Sequence, residues 1–136
     1  MNLSNIHFHL VDDNDIDTSV NMKLLQLANI SSHVSTYSSA VKFLSTLKEN
    51  PSIFTQGPNI VLLDIMMPVM DGFECLAELE KIDPALTQEM HVFMLSSSID
   101  RNNISKAEKF QMVKRVIEKP LDVYTLKMAL EDIFSD

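Results

Sequence analysis

The chain has 136 residues, 46% of them hydrophobic, with two glycines and five prolines, which suits one domain, residues 1–136, with a core of its own. Its formal net charge of -8 argues against direct nucleic-acid binding, because Lys and Arg must displace the phosphate counterions. No window approaches the ~18 uncharged apolar residues that span a bilayer and no basic region precedes the N-terminal apolar stretch, so a cytoplasmic protein without membrane insertion is expected.

Short β-rich apolar runs alternate with segments of helical period, the pattern of βαβ units around a parallel sheet. The first run, IHFHLV (6–11), precedes a helix with Val20, Leu24 and Leu27 spaced to form an apolar face. HVSTY (33–37) precedes one with Ala40, Leu44 and Leu47. IVLLD (60–64) leads into Asp71-Gly72-Phe73-Glu74, where Asp71 and Glu74 have capping-box spacing and Phe73, Leu76 and Ala77 start an apolar face. HVFML (91–95) is followed by three serines and a polar helix with a thin stripe of Ile104, Ala107 and Phe110. VKRVIE (113–118) is the fifth strand, and Leu121 to Phe134 closes the chain with Val123, Leu126, Leu130 and Ile133 on one face. Five strands and five helices are thus expected, with breaks at NPSIFTQGPN (50–59) and DPALTQ (83–88). Cys75 has no partner for an intrachain disulfide and reads as a packing residue.

In such a sheet, ligands sit outside the carboxyl ends of the strands. Asp12 and Asp13 follow strand one, Asp64 ends strand three, Ser96 follows strand four and Lys119 follows strand five, so all meet at one edge. Two unit charges 4 Å apart repel by about 4 kcal/mol at an effective dielectric near 20, so the acidic cluster calls for a cation. Mg2+ fits best, since it takes oxygen ligands and keeps waters that a phosphate can displace; no Cys or His falls at these strand ends to favour zinc. Lys119 can neutralise phosphoryl oxygens, and Asp64, in the middle of the group, is the candidate nucleophile for an acyl phosphate. Taken singly, each residue has a plainer reading: Asp12 and Asp13 as helix starters, Asp64 as a turn former, Lys119 as a solvated charge. His7 and His9 share a strand face and are read as packed or partly exposed rather than metal-binding.

Asp12-Asp13, LLDIMMPVMDG (62–72), Ser96 after HVFML, and EKP (118–120) together resemble the receiver domain of two-component response regulators over nearly the whole chain. The resemblance implies a flavodoxin-like, three-layer doubly wound fold with strand order 2-1-3-4-5, and no effector domain. It implies phosphorylation of Asp64 by a sensor histidine kinase or histidine phosphotransfer protein, with Mg2+ as cofactor. Asp13, Asp64 and the backbone carbonyl of Met66 would hold the ion directly, and Asp12 through a water. Ser96 and Lys119 would contact the phosphoryl group, and a cis peptide would precede Pro120. The output would be a protein contact on a surface of about residues 102–134.

Two positions depart from the commonest pattern. Val116 stands where many members carry Tyr or Phe, which leaves no ring there to act as a rotating switch. Met66, two residues after Asp64, cannot orient a water as Asn could, which points to slow loss of the phosphate. The rival readings are a haloacid-dehalogenase-like phosphatase, which needs an acid where Met66 stands, and a flavodoxin-like flavin or nucleotide binder, whose phosphate the acidic first loop would repel.

Overall fold

A computed structural model describes residues 5–30 and 33–134; residues 1–4, where the N-terminal apolar stretch begins, lie outside it. The strands are β1 (His7–Val11), β2 (His33–Tyr37), β3 (Asn59–Asp64), β4 (Met90–Ser96) and β5 (Val113–Glu118). They form one parallel sheet of order β2-β1-β3-β4-β5. Because every strand runs the same way, all five carboxyl ends share one edge, as expected.

The helices are α1 (Asp15–Leu27), α2 (Ala40–Glu49), α3 (Gly72–Leu79), α4 (Pro84–Thr87), α5 (Arg101–Glu108) and α6 (Val123–Phe134). One more helix appears than the pattern predicts. The segment expected as a plain break at 83–88 contains α4, a single turn that starts on Pro84 with the Asp83 side chain accepting from the Ala85 N–H. Proline preset for the first helical position and an aspartate cap make such a turn favourable without any apolar stripe to signal it. The other break holds a 3-10 turn, Pro51–Phe54.

β3 is buried at every position, and its alternate side chains divide between two cores. Val61 and Leu63 pack with Phe43 and Leu47 of α2, Leu76 and Leu79 of α3 and Ala107 of α5. Ile60 and Leu62 pack with Leu25 of α1 and Leu126 and Leu130 of α6 on the opposite face. Each fully buried Leu contributes roughly 1.5–3 kcal/mol, so a charge at the end of this strand is held in place by apolar neighbours on both sides.

The helical faces are partly as read. Ala40, Leu44 and Leu47 are buried, and the Asp71/Glu74 capping box is formed in both directions. On α1 the face is only partly as expected: Leu24 is half-buried against the core, but Val20 is 54% and Leu27 81% exposed, and Leu25 and Asn21 turn inward instead. The helix has apolar residues on two sides, and periodicity cannot choose between them; contact with the sheet does. On α3, Ala77 is exposed while Cys75 and Leu79 are buried, and on α5 Ile104 is exposed and Phe110 lies past the helix end.

His9 is wholly buried, and both its ring nitrogens are used: Nδ1 pairs with the Tyr37 hydroxyl at 3.0 Å and Nε2 with Asn59 Oδ1 at 2.8 Å. An amide oxygen only accepts, so Nε2 carries the proton and Nδ1 accepts from Tyr37. Burial pushes the His9 pKa down to about 4, so this neutral pair of bonds persists at ordinary pH.

Candidate functional site

The carboxyl edge of the sheet collects the acidic residues. Asp12, Asp13 and Asp64 each present a carboxylate oxygen within 4.8 Å of the others. Asp12 and Asp64 are buried and Asp13 is exposed, so the group opens to solvent on one side.

Local bonds fix Asp12 and Asp64. The Asp12 N–H donates to the Tyr37 carbonyl at 3.1 Å, prolonging the pairing of β1 with β2, and its Oδ1 accepts from the Asn14 N–H at 2.9 Å. Asn14 caps α1 by accepting from the N–H groups of Ile16 and Asp17. Beyond Asp64 the chain turns sharply: the Met66 N–H donates to Asp64 Oδ1 at 3.3 Å, and the Gly72 N–H donates to the Ile65 carbonyl at 2.9 Å. A Cβ at Gly72 would lie 2.7 Å from the Asp64 carbonyl oxygen, so only glycine lets α3 start this close to the strand end. Met66 points its side chain outward, 71% exposed, leaving its main chain beside Asp64.

Lys119 joins the group from β5. Its N–H donates to the Ser96 carbonyl at 2.7 Å, which anchors the residue across the β4 end, and a cis peptide links it to Pro120 as expected. The ammonium lies 3.3 Å from Asp12, 3.3 Å from Asp64 and 3.0 Å from Asp17. Asp17, in the first turn of α1, was not among the residues singled out in the sequence. An acidic residue there reads as ordinary support for the helix dipole. Its spacing of one helical turn after Asp13 was the available signal.

Ser96 ends β4, buried, next to the end of β3. Its hydroxyl is turned into its own loop: it donates to the Ser98 carbonyl at 2.5 Å and accepts from the Ser98 N–H at 3.2 Å. Ser96 is therefore at the expected edge, yet among the described residues its hydroxyl bonds only within that loop.

Three carboxylates contact one ammonium, with Asp13 beside two of them, and the imbalance is visible at Asp64. Burial and the neighbouring Asp12 charge push the Asp64 pKa up to about 6, and Lys119 offsets this only in part. Burial works against the Lys119 charge, but the hydrogen bond it donates to Asp17 and the charges of Asp64 and Asp12 outweigh it and hold the pKa above the usual lysine value. The donor set consists of oxygens alone, is incompletely neutralised and is open on one side. That chemistry fits a hard divalent cation such as Mg2+ and not a thiolate- or imidazole-seeking metal.

A doubly wound parallel sheet of order β2-β1-β3-β4-β5 defines the flavodoxin-like class of α/β domains. Within it, the chain belongs to the response regulator receiver domain family, whose model matches residues 8–131. Members of that family are phosphorylation-dependent regulatory switches of two-component systems. Among solved structures, the two-component response regulator from Cytophaga hutchinsonii superposes with a TM-score of 0.87 at 23% identity, covering 98% of this chain and 99% of that one. A response regulator receiver protein from Dyadobacter fermentans gives 0.85 at 27%, covering 96% and 99%. The CheX-CheY-BeF3-Mg complex from Borrelia burgdorferi gives 0.76 at 22%, covering 96% and 90%. No curated protein is similar enough to count as a match.

Proposed function

We propose that this receiver domain accepts a phosphoryl group on Asp64 in a Mg2+-dependent reaction and transmits the change through protein contacts. The donor would be a phosphohistidine on a sensor histidine kinase or histidine phosphotransfer protein. The observation that carries the reading is the placement of Asp64. It is a buried carboxylate at the end of the central strand, in a cluster with Asp12 and Asp13 and 3.3 Å from the Lys119 ammonium.

The ion, when bound, supplies positive charge for the phosphoryl oxygens and for the crowded carboxylates. Asp13, Asp64 and the Met66 carbonyl are the residues that would hold it, with Asp12 acting through a water. An Asp64 oxygen attacks phosphorus as the bond from phosphorus to the donor nitrogen breaks, and the imidazole leaves with that electron pair. Lys119 needs only a short movement from the Asp64 carboxylate to pair with the new phosphoryl oxygens. Ser96 can follow if its hydroxyl leaves Ser98, which would pull the loop after β4 toward the site and alter the surface of α5, β5 and α6. Val116 on β5 offers no aromatic ring to that change, so the loop itself is the moving part.

The test is intact mass after incubation with Mg2+ and a small acyl phosphate or phosphoramidate, for wild type and Asp64→Asn. An adduct confined to wild type and abolished by chelator supports the reading; equal adducts in both proteins contradict it. The Borrelia burgdorferi complex contains BeF3 and Mg, which makes beryllofluoride a sensible phosphoryl mimic to try on this protein.

A further inference from the structure

Lys119 has three carboxylate partners, and the shortest contact is to the one outside the acidic cluster: Asp17 at 3.0 Å, against 3.3 Å to both Asp12 and Asp64. Asp17 sits on α1, 38% exposed at its side chain, whereas the Asp12 and Asp64 side chains are 5% and 7% exposed. Its backbone is fixed, because the Asp17 N–H is one of the two that donate to the Asn14 cap. The contact thus runs from the capped first turn of α1 to the lysine that follows β5.

Resting on the function just proposed, we infer that Asp17 is a positioning residue that competes with the phosphoryl group for Lys119 and thereby restrains occupancy of Asp64. In the unmodified protein Asp17 draws the ammonium toward α1 and so leaves more uncompensated charge on the three carboxylates that hold the cation. When an anion arrives on Asp64, the same carboxylate acts against it twice, by repulsion and by retaining a hydrogen bond that the anion needs. Asp17 therefore favours cation binding and opposes anion binding. Those opposite signs distinguish this role from a merely structural one, in which loss of the side chain weakens both ligands or neither.

The experiment is calorimetry on the whole chain, wild type, Asp17→Asn and Asp17→Glu, in two titrations: Mg2+ alone, then beryllofluoride at saturating Mg2+. The expected result for Asp17→Asn is roughly 2–5-fold weaker Mg2+ binding together with roughly 3–10-fold tighter beryllofluoride binding, the size of a partly exposed charge pair. Asp17→Glu, which keeps the charge, returns both constants toward wild type. Weakening of both ligands in Asp17→Asn, or no change in either, overturns the inference. The wild-type arm separates the two layers: if wild type takes up Mg2+ and beryllofluoride and Asp64→Asn does not take up beryllofluoride, the proposed function stands whatever Asp17 does. If wild type binds neither, that proposed function fails first.

Discussion

Removing the Asp64 charge should stabilise the metal-free protein. Asp12 and Asp64 carry oxygens within 4.8 Å of each other. At an effective dielectric near 20 that separation corresponds to a repulsion of about 3 kcal/mol. Lys119 offsets part of it, and the net is an Asp64 pKa raised from 3.8 to about 6. The folded state therefore favours the protonated carboxyl. That contribution is complete below about pH 4 and is lost as pH rises through about 6, because the folded protein holds the proton more tightly than the unfolded chain. At pH 7.5 the ionised group costs on the order of 1–3 kcal/mol. Asp64→Asn is nearly isosteric and leaves Lys119 its bonds to Asp12 and Asp17. Thermal unfolding in chelator at pH 7.5 should show Asp64→Asn melting roughly 3–10 °C above wild type, given about 3–5 °C per kcal/mol for a chain of this size. The gap should shrink to roughly half at pH 5 and largely close only below about pH 4, and saturating Mg2+ should narrow it at pH 7.5 by stabilising wild type through binding. A variant melting at or below wild type in chelator at pH 7.5 would refute the electrostatic reasoning.

Further outcomes follow from the same geometry. Met66→Asn places an amide beside Asp64 that can orient a water, and the phosphorylated protein should lose its label faster; an unchanged decay rate counts against slow intrinsic loss. Gly72→Ala forces a Cβ to within 2.7 Å of the Asp64 carbonyl oxygen and 2.9 Å of Met94 Cε. It should lower the unfolding free energy by roughly 1–3 kcal/mol, seen as a lower urea midpoint at unchanged slope, despite alanine's better helix propensity, and an unshifted midpoint removes the close-approach argument. Cys75 is fully buried with its thiol pKa pushed up to about 12 by burial and by Asp71 and Glu78. It should resist an aromatic disulfide reagent in native buffer and react on unfolding; rapid native reaction would show that the α3 face opens.

The sheet was legible because its central strands are buried on both faces and so read as unbroken apolar runs that stop on polar residues. Those stops are the site: Asp12, Asp13, Asp64, Ser96 and Lys119 share an edge for no reason beyond strand direction. What stayed hidden depends on contacts between distant segments. α1 carries apolar residues on two sides, and the choice of Leu25 over Val20 and Leu27 was made by the sheet beneath it, not by the period. Asp17 reaches Lys119 across 102 positions of sequence, and with Asp15 in the same first helical turn its spacing from Asp13 was too weak a signal to name that partner. The Ser96 hydroxyl stands at the sheet edge, and its bond to the Ser98 carbonyl two residues further on belongs to loop geometry that no sequence pattern announces.

The account stands on Asp64 as the residue that takes the phosphoryl group. Its most direct test is to phosphorylate the protein, reduce the acyl phosphate with borohydride and map the peptides by mass. Homoserine at position 64 alone is the predicted result, whereas reduction at another acidic residue, or a phosphate on serine that survives the treatment, would contradict it.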